Sequence, residues 1–170
     1  MSVEVEGFED IGKIIDSTVT EICDSIDSSV RSSAEEARMK AEMGFAFAEY
    51  PGDNDVEVEK TETQSGESYT IDITASGNAV TFIEFGTGVR YAANEHPLAA
   101  ENGMIRGEYG QGRGASPKGW LYRGVAGNSD AEPSTKVPGL MHTYGNPAAM
   151  AMYNAGNEME QKIDEGIDRA

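Results

Sequence analysis

Apolar residues recur every three or four positions from about residue 8 to 49: Ile11, Ile15, Val19, Ile22, Ile26, Val30, Ala34, Ala37, Ala41, Phe45 and Ala48. Charged residues fill much of the opposite face, so the period predicts an amphipathic helix. Unbroken, it would run about 60 Å at 1.5 Å per residue, whereas a globule of this size is roughly 40 Å across. Two readings stay open. Either the helix projects from the body, or it breaks near Ser32-Ser33, where Ser33-Ala34-Glu35-Glu36 spells a capping box. Tyr50-Pro51-Gly52 ends it in both.

The period then drops to two. Val56-Glu57-Val58-Glu59 alternates, Gln64-Ser65-Gly66-Glu67 reads as a turn, and Tyr69, Ile71, Ile73 and Ala75 alternate with Thr70, Asp72 and Thr74. After Ser76-Gly77-Asn78 comes the densest apolar run of the chain, Val80 to Val89. Short and rich in β-branched and aromatic residues, it reads as the third strand of an antiparallel meander. Thr81, Ile83 and Phe85 would share one face, and Val80, Phe82 and Glu84 the other. Glu84 conflicts with its neighbours. It needs solvent, an arginine or backbone N–H donors, since burying a lone carboxylate is costly.

From Val89 to Tyr144 periodicity is lost, apart from a strand at Gly119-Trp120-Leu121-Tyr122-Arg123. So long an irregular span reads as a functional or partner-ordered loop. Asn146-Pro147 then reads as a helix start, with Ala148, Met152, Ala155, Met159, Ile163 and Ile167 on one face. The expectation is a single α+β domain over residues 1–170. It has a long N-terminal helix, a small antiparallel sheet, a long glycine-rich loop at about 89–144, and a C-terminal helix packed on the sheet.

Charge narrows the function classes. The net charge is −17, which opposes binding to nucleic acid and to anionic membranes. It is unevenly spread: residues 1–60 carry 16 acidic and five basic side chains, residues 90–123 three acidic and five basic. No apolar run approaches the roughly 20 residues of a membrane span, and no signal peptide opens the chain. The single cysteine, Cys23, excludes an internal disulfide. Between Ile22 and Ile26 it reads as a small buried hydrophobe in a reducing compartment.

Candidate chemistry is sparse. His96 and His142 lack metal-ligand spacing, and the glycines at 107, 110, 112 and 114 do not link a strand to a helix as a phosphate loop would. Glu84 and His96 can be written as an acid–base pair, but nothing in the sequence fixes their geometry. Met150, Met152 and Met159 read as core filler, and Trp120 and Tyr122 as buried strand aromatics. No catalytic, cofactor or metal site is expected.

Three stretches carry a resemblance: Phe82-Ile83-Glu84-Phe85-Gly86-Thr87-Gly88, His96-Pro97, and Gly145-Asn146-Pro147-Ala148-Ala149-Met150-Ala151-Met152-Tyr153. Together they resemble the minor tail component, or tail-completion (head–tail joining), family of long-tailed bacteriophages and prophages. The resemblance implies a structural virion protein at the tail and neck, made in the host cytoplasm. It would form a homo-oligomeric ring, a hexamer being one candidate size, that contacts other neck and tail proteins while DNA passes only as cargo. The long loop and the long acidic helix depart from the family pattern. Glu84, Phe85, Gly86, Thr87, Gly88 and Arg90 would root the loop, with Thr87 and Glu84 fixing the turn and Arg90 pairing with Glu84. Phe45, Phe47, Tyr91, Leu98, Ile105, Arg106 and Arg113 are candidate subunit contacts. The competing classes are a small acidic binding module of DNA-mimic type, and a small hydrolase or nucleotide-binding enzyme.

Overall fold

The computed structural model describes residues 8–66, 68–90, 95–104 and 116–169. Helix α1 (Phe8–Ala46) is continuous, so the capping box at Ser33 starts no new helix. Ser33 and Ala34 are instead buried along its length. The antiparallel strands β1 (Glu57–Ser65) and β2 (Ser68–Ser76) pair Val58 with Ala75 and Lys60 with Ile73. The alternation predicted for β2 holds, with Tyr69, Ile71, Ile73 and Ala75 on the more buried face.

The third predicted strand is a helix, α2 (Val80–Phe85). Ile83 and Glu84 are buried and Phe82 is exposed, a helical division rather than an alternating one. Strand β3 (Thr87–Gly88) follows at once and pairs with β7 (Gly145–Asn146). Between them, β4 (Trp120–Tyr122), β6 (Met141–Thr143) and β5 (Glu132–Pro133) form a three-stranded antiparallel sheet in the order β4-β6-β5. The segment expected to be one irregular loop with a single strand therefore contains a small sheet.

The last helix, α3 (Ala151–Ile167), begins later than Asn146-Pro147 suggested. Its N-cap position is Met150, in the left-handed region at φ 54°, and Asn146 is used elsewhere. The helix runs antiparallel to α1: Lys40 pairs with Glu158, and further along Lys162 pairs with Glu36. The two backbones approach closely at Gly44, where an added Cβ would lie 2.8 Å from Ala151 Cβ. Ala37, Ala41 and Ala155 form the core of this contact, with Val58 and Ile73 of the hairpin and Met152 and Met159 of α3 packed around them. A second cluster joins Phe45, Ala48, Ala79, Ile83 and Ala151. Small residues dominate because helices that approach this closely leave no room for larger ones.

Among the described residues, cover for α1 ends at about Ser29, where Gly166 near the end of α3 lies against the serine hydroxyl. The hairpin reaches Arg31, which pairs with Glu62 and stacks over the Tyr69 ring at 4.2 Å. Every position from Asp10 to Ser25 is exposed. Cys23 is thus an exposed thiol and not a buried hydrophobe, because this half of α1 has no neighbour among the described residues. None of the helices described is long and apolar enough to cross a membrane.

Candidate functional site: a hub built on Glu84

The three stretches that carry the resemblance meet in space. Glu84 is 5% exposed, and the backbone of α3 answers its charge. Its Oε2 accepts the Met152 N–H at 3.0 Å, and its Oε1 accepts the Tyr153 N–H at 3.0 Å. These are the second and third N–H groups of α3, the ones that an N-cap side chain usually satisfies. Met150 offers no side-chain cap, so Glu84 caps α3 from a distant part of the chain. A carboxylate there also meets the positive end of the helix dipole. Of the partners open to Glu84 from sequence, backbone donors are the ones it finds.

His96 is the third partner, with Nε2 3.1 Å from Glu84 Oε1. Its Nδ1 accepts the Leu98 N–H at 3.0 Å. A ring nitrogen that accepts carries no proton, so Nε2 bears the hydrogen and donates to the carboxylate. The ring sits between Phe85, at 4.4 Å between centroids, and Tyr153, at 5.2 Å. It is 3% exposed. The pair that spacing could not connect is real, but both oxygens of Glu84 and both nitrogens of His96 are occupied within the chain. The arrangement works as a clasp between α2, α3 and the turn at 96–98.

Asn146 is completely buried and supplies a second clasp. Its Nδ2 donates to the carbonyls of Phe82 and Pro147. The Ile83 and Glu84 carbonyls accept the N–H groups of Ala149 and Met150. The Phe82, Ile83 and Glu84 carbonyls near the end of α2 are therefore satisfied by the segment that leads into α3. Gly86 is required between these clasps. Its φ is +78°, and a Cβ there would lie 2.7 Å from Ala148 N and 2.9 Å from Asn146 O.

The start of α2 is held in a similar way. Asp55 accepts the N–H groups of Asn78 and Ala79 at 2.9 Å each, together with the Asn78 side-chain amide. These bonds, the Asn78 N–H foremost, hold the Asp55 carboxyl below the usual carboxylate range.

Other predicted roles change. Arg90 pairs with Glu49 and Asp130, not with Glu84, whose oxygens are already taken by α3 and His96. Thr87 does fix the turn, but through Asn146. Gly88 pairs with Gly145. Phe45 is only 1% exposed, a core residue and not a subunit contact. Phe47, 79% exposed, and Leu98 are on the surface. Tyr91, Ile105, Arg106 and Arg113 lie outside the described residues. Sequence reasoning missed Asp55 and the hub role of Asn146. The one signal for the hub was a carboxylate set in an apolar run.

No group of three or more metal-ligating side chains occurs among the described residues. Compared with protein-family models, curated proteins and solved structures, the chain matches none.

Proposed function

We propose that the protein is a structural component of a tailed-phage virion. In this reading copies assemble as a ring at the junction of tail and neck, in tail completion or head–tail joining, and catalyse no reaction. The observation that carries it is the hub. The three stretches of the resemblance, far apart in sequence, fold onto one another and direct their polar groups at each other. Such motifs serve a scaffold rather than a substrate.

Charge supports the same reading. A net −17 keeps the protein from holding the phosphates of DNA that moves past it. In the proposed ring, Arg106 and Arg113 of one copy meet the acidic α1 of the next. Exposed ion pairs contribute only about 0–1 kcal/mol each, so the contact also buries apolar surface. Phe47 and Leu98 are exposed and available for this, with Tyr91 and Ile105 proposed beside them. Met39 and Met43 continue the Phe47 stripe at helical spacing and are exposed too.

Native mass of the full chain, with and without Arg106→Glu and Arg113→Glu, tests the interface, and imaging of labelled protein in particles tests the location. The expected result is a closed ring that the reversals weaken, located at the neck. A monomer even at virion-like density overturns the reading, as does a ring whose interface omits residues 89–144.

A further inference from the structure

We propose that the uncovered N-terminal half of α1 is a coiled-coil seam for further copies of this chain, packed parallel and in register. The apolar stripe of α1 is continuous, but its two halves are built differently. The covered half uses Ala34, Ala37, Ala41 and Gly44, fitted closely to α3 and the hairpin. The uncovered half uses Ile15, Val19, Ile22 and Ile26, with Ile11 beside them. Ile11, Ile15 and Val19 are each more than half exposed. Large side chains on an exposed helix suit knobs-into-holes packing and not the close approach seen with α3.

The spacing agrees. Ile15, Val19, Ile22 and Ile26 are separated by four, three and four residues, the alternation of a heptad core. β-branched residues at both kinds of core position favour three or more strands over two. Ile14, Ile15, Thr18, Val19, Thr20 and Ile22 also give this stretch a low intrinsic helix propensity. Such a helix gains most of its stability from packing.

The charges identify the occupant. Asp10, Glu21, Asp24 and Asp27 occupy heptad positions away from the seam. The flanking positions of α1 hold Ile11, Thr18 and Ser25 on one side, and Glu9, Asp16, Cys23 and Val30 on the other. In a parallel, in-register bundle Ile11 faces Asp16, Thr18 faces Cys23 and Ser25 faces Val30. In these three pairings no two like charges meet, so along residues 11–30 a strongly acidic chain brings copies of this face together without bringing its acids together. A basic partner helix would find acids on one flank alone, at Glu9 and Asp16, and none on the flank of Ile11, Thr18 and Ser25. The seam is also continuous with the face of α1 that already packs on α3 within the chain.

The test is sedimentation of the full chain over a range of concentrations, for the wild type and three variants. Val19→Glu with Ile22→Glu charges the seam, Glu21→Lys with Asp24→Lys alters the outer face, and Arg106→Glu with Arg113→Glu alters the proposed ring contact. The seam and outer-face positions are exposed, so circular dichroism should report an intact body, with no more helix lost than the N-terminal half of α1 contains. The wild type should form trimers or larger assemblies, and the seam variant should associate at least about 100-fold more weakly. The outer-face variant should retain association. In a Cys23→Ser background, Ile22→Cys should cross-link to itself on mild oxidation, as an in-register core position does. A wild type that stays monomeric overturns the proposal, as does a seam variant that assembles normally or an associated Ile22→Cys chain that fails to cross-link. Association lost only on reversing Arg106 and Arg113 overturns the seam and leaves the ring standing. The opposite pattern supports the seam alone.

Discussion

Thr87 and Asn146 exchange two hydrogen bonds through a single hydroxyl. The Thr87 Oγ1 donates to Asn146 Oδ1 at 2.5 Å and accepts the Asn146 N–H at 3.2 Å. The two residues are 59 apart in sequence, and this exchange joins β3 to β7 where only two residue pairs make up the ladder. Thr87→Val keeps the shape and removes both bonds, leaving polar groups of a buried asparagine unmet. It should cost about 1–3 kcal/mol, read as a shift in the urea midpoint, while Thr87→Ser should stay near the wild type. Equal losses in both variants would place the effect in packing.

Glu84→Gln preserves volume and keeps one carbonyl acceptor, but its –NH2 then faces at least one N–H donor that has lost its acceptor. The expected loss is about 2–3 kcal/mol, the scale of hydrogen bonds to a charged group. The α3 amides of Met152 and Tyr153 should exchange faster in this variant. Turnover of an ester, peptide or nucleotide by the wild type, abolished by Glu84→Gln or His96→Asn well below their melting temperatures, would overturn the structural reading.

Gly44→Val tests the close approach of α1 and α3. Even a Cβ would crowd Ala151, and the helices must separate to admit more. A loss of about 1–3 kcal/mol is expected, visible as a lower thermal midpoint. An unchanged midpoint would show that the two helices part easily.

Acid should loosen the molecule at identifiable places. Asp55 is held below the usual carboxylate range chiefly by the Asn78 N–H, Glu158 by Lys40, Glu35 by Arg38 and Glu62 by Tyr69. For each group the unfolded chain takes up a proton at higher pH than the folded one. The stabilisation is therefore complete above the ordinary carboxylate range and is lost as pH falls through it toward the depressed folded values. Thermal midpoints measured from neutral to acidic pH should fall on the acid side. Salt should weaken the Lys40–Glu158 part more than the Asp55 part, since screening acts mainly on exposed charge pairs.

The long elements were legible in the sequence because their periods repeat many times. The stripe from Ile11 to Ala48 and the alternation from Tyr69 to Ala75 both lie where they were expected. Helix α2 was not legible, because six residues do not separate a period of two from one of 3.6. The residue that holds its entry, Asp55, lies 23 positions before Asn78. Asn146-Pro147 looked like a helix start because asparagine and proline favour one locally. Tertiary hydrogen bonds claimed Asn146 first, and the helix waits until Ala151. Arg90 was expected to pair with Glu84, six positions before it, whereas in the fold Glu49 and Asp130, far from it in sequence on both sides, reach it.

The distant capping of α3 also constrains how the chain folds. An N-cap from a neighbouring residue would let α3 form early and alone, but its second and third N–H groups wait for a carboxylate 68 and 69 residues upstream. That carboxylate is tolerable in the interior only once α3 and His96 have arrived to meet it. A partly assembled hub would hold an unanswered charge, so intermediates with one clasp closed are penalised. The late, all-or-none closing of this region should appear as a common opening free energy for the amides of Leu98, Met152 and Tyr153, though they lie in separate parts of the chain.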